Sequence, residues 1–215
     1  MQRTALVAAT DAELLASWRH GVTAAGEVLF ERHYEAVRRY FRNKVPAAAV
    51  RDLVQDTFLA CLQARDRFRE RSTFRTYLLG IAHHRMIDHL RAAPRNRGTL
   101  DPGELVLADL SPAGEDAIAA KRERRLLLRA LRNLRFSLQV VLELRYWESM
   151  SDLEIAEVLD EPLGTVKTRL RAGRHALEDK LAELSGSAEE LHSTLDSLQH
   201  WASRVRRGIA PADPR

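Results

Sequence analysis

The sequence predicts an all-α fold: two small helical domains on either side of an acidic flexible strap, with a further helix at the C-terminus. Three observations lead there. Between Thr10 and Leu184 apolar residues recur at three- and four-residue spacing almost everywhere, and no stretch has the alternation of a half-buried strand. Residues 98–118 break this pattern with Gly98, Pro102, Gly103, Pro112 and Gly114, five acidic residues and no Lys or Arg, the composition of an extended connection. Residues 150–175 read as two short helices around a tight turn, the second loaded with cations. The boundaries are then a first helical domain at 1–97, the strap at 98–118, a second helical domain at 119–185 and a C-terminal extension at 186–215.

Thr10 and Glu13 have the spacing of a capping box, in which each side chain satisfies a free backbone N–H at a helix start, so a short helix opens there and runs through Trp18. Gly21 to Thr23 ends it. The next helix carries Leu29, Phe30, Tyr34, Val37, Tyr40 and Phe41 on one side, and Pro46 interrupts it. A third helix, Val50 to Arg65, turns Val54, Phe58, Cys61 and Leu62 inward. A polar, Arg-rich loop from Phe68 to Ser72 leads into a fourth helix ending near Leu90. Residues 64–97 hold nine Arg against three acids, a balance of +6, so the charge inverts where the strap begins. Helical spacing resumes at Lys121.

In residues 150–175, Ser151 and Glu154 form a second capping box, and Met150 with Ile155 can close that start as a hydrophobic staple. Ile155, Val158 and Leu159 give the first helix its apolar face. Asp160-Glu161-Pro162 breaks it, and Pro162 suits the first position of the next helix. There Leu163, Val166, Leu170 and Leu177 point inward, leaving Thr165, Lys167, Thr168, Arg169, Arg171 and Arg174 outside. A helix–turn–helix lays such a second helix in the major groove, where Arg and Lys reach guanine edges and phosphates.

Beyond Ser187, Leu191, Leu195, Leu198, Ala202 and Val205 form a heptad stripe in register with Leu177, Leu181 and Leu184. Two readings stay open for it: packing against the protein's own domains or a regulator, and a short accessory helix.

Composition narrows the class. With 45% hydrophobic and 30% charged residues in 215, the chain is globular; its net charge is only +4, but its pI of about 9.6 suits a polyanionic partner. The lone Cys61 permits no disulfide within the chain. No apolar run approaches membrane length and no leader is evident, so a cytoplasmic protein without membrane contact is expected. His83, His84, Asp88 and His89 cluster, but no third ligand converges on them, and there is no nucleophile motif or phosphate-cradling loop. No catalytic residue, metal or cofactor is predicted.

Taken together, the segments resemble bacterial sigma factors of the extracytoplasmic-function (ECF) group of the sigma-70 family, over roughly Asp11 to Leu184. LFERHYEAVRRYF is similar to the opening of the promoter-melting domain, called region 2. RDLVQDTFLACL is similar to its polymerase-binding helix, and DRFRERSTFRTYLLGIAHHRMIDHLR to the loop and helix that engage the minus-ten element. The helix–turn–helix is similar to region 4, which reads the minus-thirty-five element. The resemblance implies promoter-specific transcription initiation with two main partners, promoter DNA and core RNA polymerase through its beta-prime clamp helices and beta subunit. An anti-sigma factor is a further candidate partner.

Site residues follow from the matching positions. Asp52, Leu53, Gln55, Asp56 and Phe58 would bind core polymerase. Phe68, Arg69, Arg71, Ser72, Tyr77 and His84 would take the unpaired minus-ten strand, since holding an unstacked base requires aromatic or Arg planes. Phe74 is read as core; for Tyr77, base capture and packing are both open. Thr165, Lys167, Thr168, Arg169, Arg171 and Arg174 would bind the upstream duplex. The family usually has Trp at Tyr77 and often Asn at His84. It commonly has Arg at Ala172, Ala at Gly173 and Gly at Asp160. Gly173 is expected to loosen its helix, whereas Gly164 agrees with the family and is assigned to close packing or close approach to DNA. The strap is either a nucleic-acid mimic in the polymerase cleft or a plain tether. The rival function is a helix–turn–helix regulator that binds duplex DNA without polymerase, which leaves DLVQDTF and the aromatic-Arg loop without a purpose.

Overall fold

The computed structural model describes residues 2–92, 101–107 and 120–184. Nine α-helices follow in order among them: α1 (Gln2–Ala8), α2 (Asp11–Arg19), α3 (Thr23–Arg42), α4 (Ala47–Ala64), α5 (Phe74–Ala92), α6 (Ala120–Arg132), α7 (Phe136–Tyr146), α8 (Asp152–Leu159) and α9 (Leu163–Leu184). The all-α expectation holds. Helix α1 precedes Thr10, where the sequence pattern places the first helix, and the heptad stripe beyond Leu184 lies outside the described residues.

The first module packs α2, α4 and α5 around α3. The Thr10–Glu13 capping box forms at the start of α2. Asp11 then ties α2 to α3, accepting from Arg32 at 2.6 Å and contacting His33 Nε2 at 2.7 Å. The two helices touch at Gly26, where a Cβ would lie 2.6 Å from the Trp18 indole, so glycine makes room for that ring. Pro46 precedes α4 and fixes where it begins. The buried stripe of α4 is Leu53, Val54, Thr57 and Cys61, rotated from the expected one: Leu53 is inside, whereas Leu62 is exposed. Polar Thr57 is tolerated there because its hydroxyl donates to the Leu53 carbonyl at 2.7 Å. Burial pushes the Cys61 thiol up to about 12, leaving it protonated.

The second module is α6–α9. Its Ser151–Glu154 capping box is present, and Met150 and Ile155 are both buried as a staple requires. Asp160 closes α8 in the left-handed region, at φ 53. Pro162 lies just before α9, with its carbonyl accepting from Thr165 and Val166. Close packing falls to Gly173, which was expected to loosen the helix, and not to Gly164. A Cβ at Gly173 would sit 3.2 Å from Leu142, so this residue lets α9 close on α7, whereas Gly164 has nothing within 4 Å.

The described part of the strap, Asp101–Leu107, is seated rather than free. A turn at Pro102–Glu104 lies on α7, Val106 bridges to Arg135, the Leu105 carbonyl accepts from Phe136 N–H at 2.7 Å, and Leu107 is buried. The two modules share one continuous core. Helix α5 lies along α8, where a Cβ at Gly80 would be 3.7 Å from the Val158 carbonyl oxygen, and the His83 ring stacks parallel to Phe136 at 6.1 Å.

Candidate nucleic-acid and partner interface

Three surfaces carry the predicted residues. On α4, Asp52, Gln55 and Asp56 are exposed while Leu53 is buried beneath them. Phe58 is partly buried, 4.6 Å from Phe30 and stacked parallel to the exposed Tyr34 at 6.3 Å. An acidic and amide face therefore stands on an aromatic base, and Leu53 supports the face from inside instead of projecting from it.

The second surface is the loop before α5. It leaves α4 through a turn at Arg65–Arg67 and is pinned by Arg19, which donates to the Phe68 carbonyl and pairs with Glu70. Glu70 has a positive φ of 55. Thr73 starts α5 by accepting from Thr76 N–H at 3.1 Å. Arg69 and Arg71 are exposed and Ser72 half-buried. Phe68 differs from expectation: its ring is enclosed, stacked on Tyr77 at 4.4 Å and edge-on to Phe74 at 6.1 Å. An apolar ring beside two others gains more from that contact than from water. Tyr77 is half-buried, its hydroxyl 3.3 Å from the Ala64 carbonyl, and His84 is exposed. Phe74 is buried, as read from sequence.

The third surface is α9. Val166, Leu170, Gly173, Leu177 and Leu181 face inward, so Lys167, Thr168, Arg171 and Arg174 face water and Thr165 is half-buried. Thr168 turns its hydroxyl back to the Gly164 carbonyl at 3.0 Å. Arg169 stands apart, half-buried and paired with Glu161 at 2.7 Å. It lines a small cleft of about 70 Å³ between the modules, together with His83, Asp101, Phe136 and Glu161.

Sequence reasoning missed the polar contact between the modules. Lys44 Nζ pairs with Glu143, which also accepts from Asn43 at 3.0 Å and Gln139 at 2.8 Å. Arg132 donates to Asn43 Oδ1 at 2.8 Å. Nearby, Arg39 grips Glu148 through two bonds of 2.8 and 3.1 Å. Arg75 reaches the same carboxylate, and the Glu148 carbonyl at 2.8 Å. Tyr40 and His83 hydrogen-bond at 2.8 Å. Burial first, then the charges of His84, Lys44 and Arg169, lowers His83 to about 3, so its imidazole is neutral. The only available sequence signal was the presence of Glu143 and Gln139 inside an apolar helix.

Among the described residues no His, Cys, Asp and Glu group could hold a metal, and no helix is long and apolar enough to cross a membrane. A family model for sigma-70 region 2 matches residues 29–96, and a model for sigma-70, region 4 matches residues 124–177. The ECF RNA polymerase sigma-E factor of Escherichia coli K12 is 28% identical over 183 residues, covering 81% of this chain and 96% of the relative. That of Haemophilus influenzae is 27% identical over 188 residues, covering 81% and 97%. The solved structure of CnrH in complex with the cytosolic domain of CnrY aligns with a TM-score of 0.62 at 27% identity, covering 81% of this chain and 99% of that one. A sigma factor RpoE in complex with the anti-sigma factor NepR, from Bartonella quintana, has a TM-score of 0.56 at 20% identity, covering 71% and 94%; that likeness bears on the fold alone.

Proposed function

Because the chain belongs to the sigma-70 family, in its extracytoplasmic-function group, we propose that it binds core RNA polymerase and directs promoter-specific initiation. The observation that carries this reading is the pairing of both family regions, in order, with the exposed polar faces of α4 and α9. The work is binding rather than catalysis, done beside polymerase in the cytoplasm.

The division of labour follows the surfaces. Asp52, Gln55 and Asp56 engage the beta-prime clamp helices, with Phe58 and Leu53 holding their helix in place. Lys167, Thr168, Arg171 and Arg174 meet the upstream duplex, where cations gain from release of the DNA's counterions. Arg69, Arg71, Tyr77 and His84 receive the opened minus-ten strand. Phe68 acts through Tyr77, fixing the ring on which a base would stack. Unstacking costs a few kcal/mol per base, and this surface offsets that cost. An anti-sigma factor is a candidate partner; the similar chain CnrH is in complex with another protein, the cytosolic domain of CnrY.

Run-off transcription with purified core polymerase tests the proposal. Initiation from a distinct set of start sites is expected on genomic fragments; no stimulation on any template, with DNA binding intact, would favour a polymerase-independent regulator.

A further inference from the structure

The surfaces that meet between the modules are opposite in charge. The first module brings Arg39, Lys44 and Arg75, and the second brings the carboxylates of Glu143 and Glu148, with Arg132 also on that side against Asn43. Lys44 is 1% exposed and Glu148 4%. Glu148 is held as a phosphate would be: a two-bond grip by Arg39 on its oxygens, with the Arg75 guanidinium against the same group. Two guanidiniums around one carboxylate leave an excess positive charge, with Glu35 also acting on Arg39. Residues 64–97 add a balance of +6 in the same module. This is the electrostatic footprint of a polyanion site occupied from within.

The closed arrangement cannot serve both promoter elements. Elements centred at minus thirty-five and minus ten are roughly 25 base pairs apart, about 85 Å of duplex at about 3.4 Å per pair. A compact chain of this length has a radius of gyration of about 17 Å. The modules must separate to span that distance, and separation strips Arg39, Lys44 and Arg75 of their carboxylates beside the surface proposed for the minus-ten strand.

We propose that Arg39, Lys44 and Arg75 form a further site for the phosphodiester backbone of promoter DNA, which Glu143 and Glu148 occupy as internal phosphate substitutes while the modules are closed. This rests on the initiation-factor reading above. The substitution is one set of contacts for another: the buried cations exchange carboxylates for phosphates, and the freed carboxylates of Glu143 and Glu148 return to water.

The test uses the full-length protein and two probes. Binding of a labelled 30-base-pair duplex to the free factor is measured against salt for wild type and Glu148→Gln. The variant should bind three- to tenfold tighter with a salt slope steeper by about 1 to 2, each new phosphate contact adding about 0.9. Adding Arg39→Ala and Arg75→Ala should abolish the gain. Unchanged affinity in Glu148→Gln, or a gain that survives loss of both arginines, overturns the proposal. Should Glu148→Gln not fold, the Arg39→Ala/Arg75→Ala factor bound to core polymerase supplies the second probe. Its promoter binding should lose about 1 to 2 from the salt slope, and an unaltered slope overturns the proposal equally. Wild-type run-off transcription, run alongside, separates this failure from failure of the initiation reading.

Discussion

Lys44 and Glu143, 99 residues apart in the chain, form an ion pair from which water is excluded, Lys44 being 1% and Glu143 4% exposed. Removing one member of such a pair strands the other and costs about 3–5 kcal/mol, whereas replacing both by apolar groups of similar volume is often neutral or stabilising. Here the stranded charge has an escape, because the two modules can part and return it to water. Glu143→Ala should therefore appear first as expansion, measured as a larger radius of gyration by small-angle scattering, before secondary structure is lost. Lys44→Met/Glu143→Leu should stay compact. A compact Glu143→Ala variant of wild-type stability would show that the pair contributes nothing to closure.

The two glycines of α9 should respond in opposite ways. Gly173 faces Leu142 at a distance that leaves no space for a branched side chain, so Gly173→Val should destabilise by about 1–3 kcal/mol through overpacking. Gly164 has open space around it, and Gly164→Ala should be neutral or stabilising by up to about 1 kcal/mol through helix propensity. Thermal unfolding measures both. If Gly164 instead serves close approach to DNA, Gly164→Ala will combine unimpaired stability with weaker duplex binding. An equal loss of stability in both variants would contradict the packing described.

On the recognition helix the cations are not equivalent. Lys167 and Arg171 are exposed, while Arg169 is tied to Glu161. Lys167→Ala and Arg171→Ala should each lower the salt slope of promoter binding by about 1, with the weakening spread across sequences if they touch phosphates. Arg169→Ala should do less in the free factor, and Glu161→Gln should raise affinity by releasing it. A larger effect from Arg169 than from Lys167 would mean that the Glu161 pair is already broken on DNA.

What could be read from the chain follows the range of each interaction. Capping boxes at Thr10 and Ser151, the staple at Met150 and the left-handed Asp160 are set within a few residues, so their spacing is visible in the string. The inward stripe of α9 is visible for the same reason. Phe68 was misjudged because its fate depends on Tyr77 and Phe74 across a loop, and a ring beside arginines resembles one offered to a base. Leu53 and Leu62 exchanged roles because α4 is wedged between α3 and α5, which rotates its buried stripe toward Thr57. The module contact leaves only a faint trace in the string, Glu143 and Gln139 inside an apolar helix. Glu143 and Glu148 resemble solvated positions until folding brings Lys44, Arg39 and Arg75 to them.

Closure should also depend on acidity, through His83. Its imidazole is held to about 3 when the modules are together, against an ordinary 6.5. The groups around it are Tyr40 from α3, His84 beside it on α5, Lys44, Arg169 from α9, and Asp101 and Glu161 lining the same cleft. Parting takes Phe136 and Arg169 away from the ring and returns it toward its ordinary value, so below about 6.5 the separated form binds a proton that the closed form does not. Closure is thus fully favoured above 6.5 and weakens as pH falls, by up to about 1.4 kcal/mol per unit. His33 is also lowered by burial, but its neighbours Asp11, Arg32 and Arg75 all belong to the first module, so parting of the modules leaves it enclosed. Scattering at pH 7.5 and 5.5 should therefore reveal expansion at the lower value in wild type. His83→Gln, whose amide can still accept from Tyr40, should remain compact at both. Equal expansion of the two proteins would assign the effect to another group.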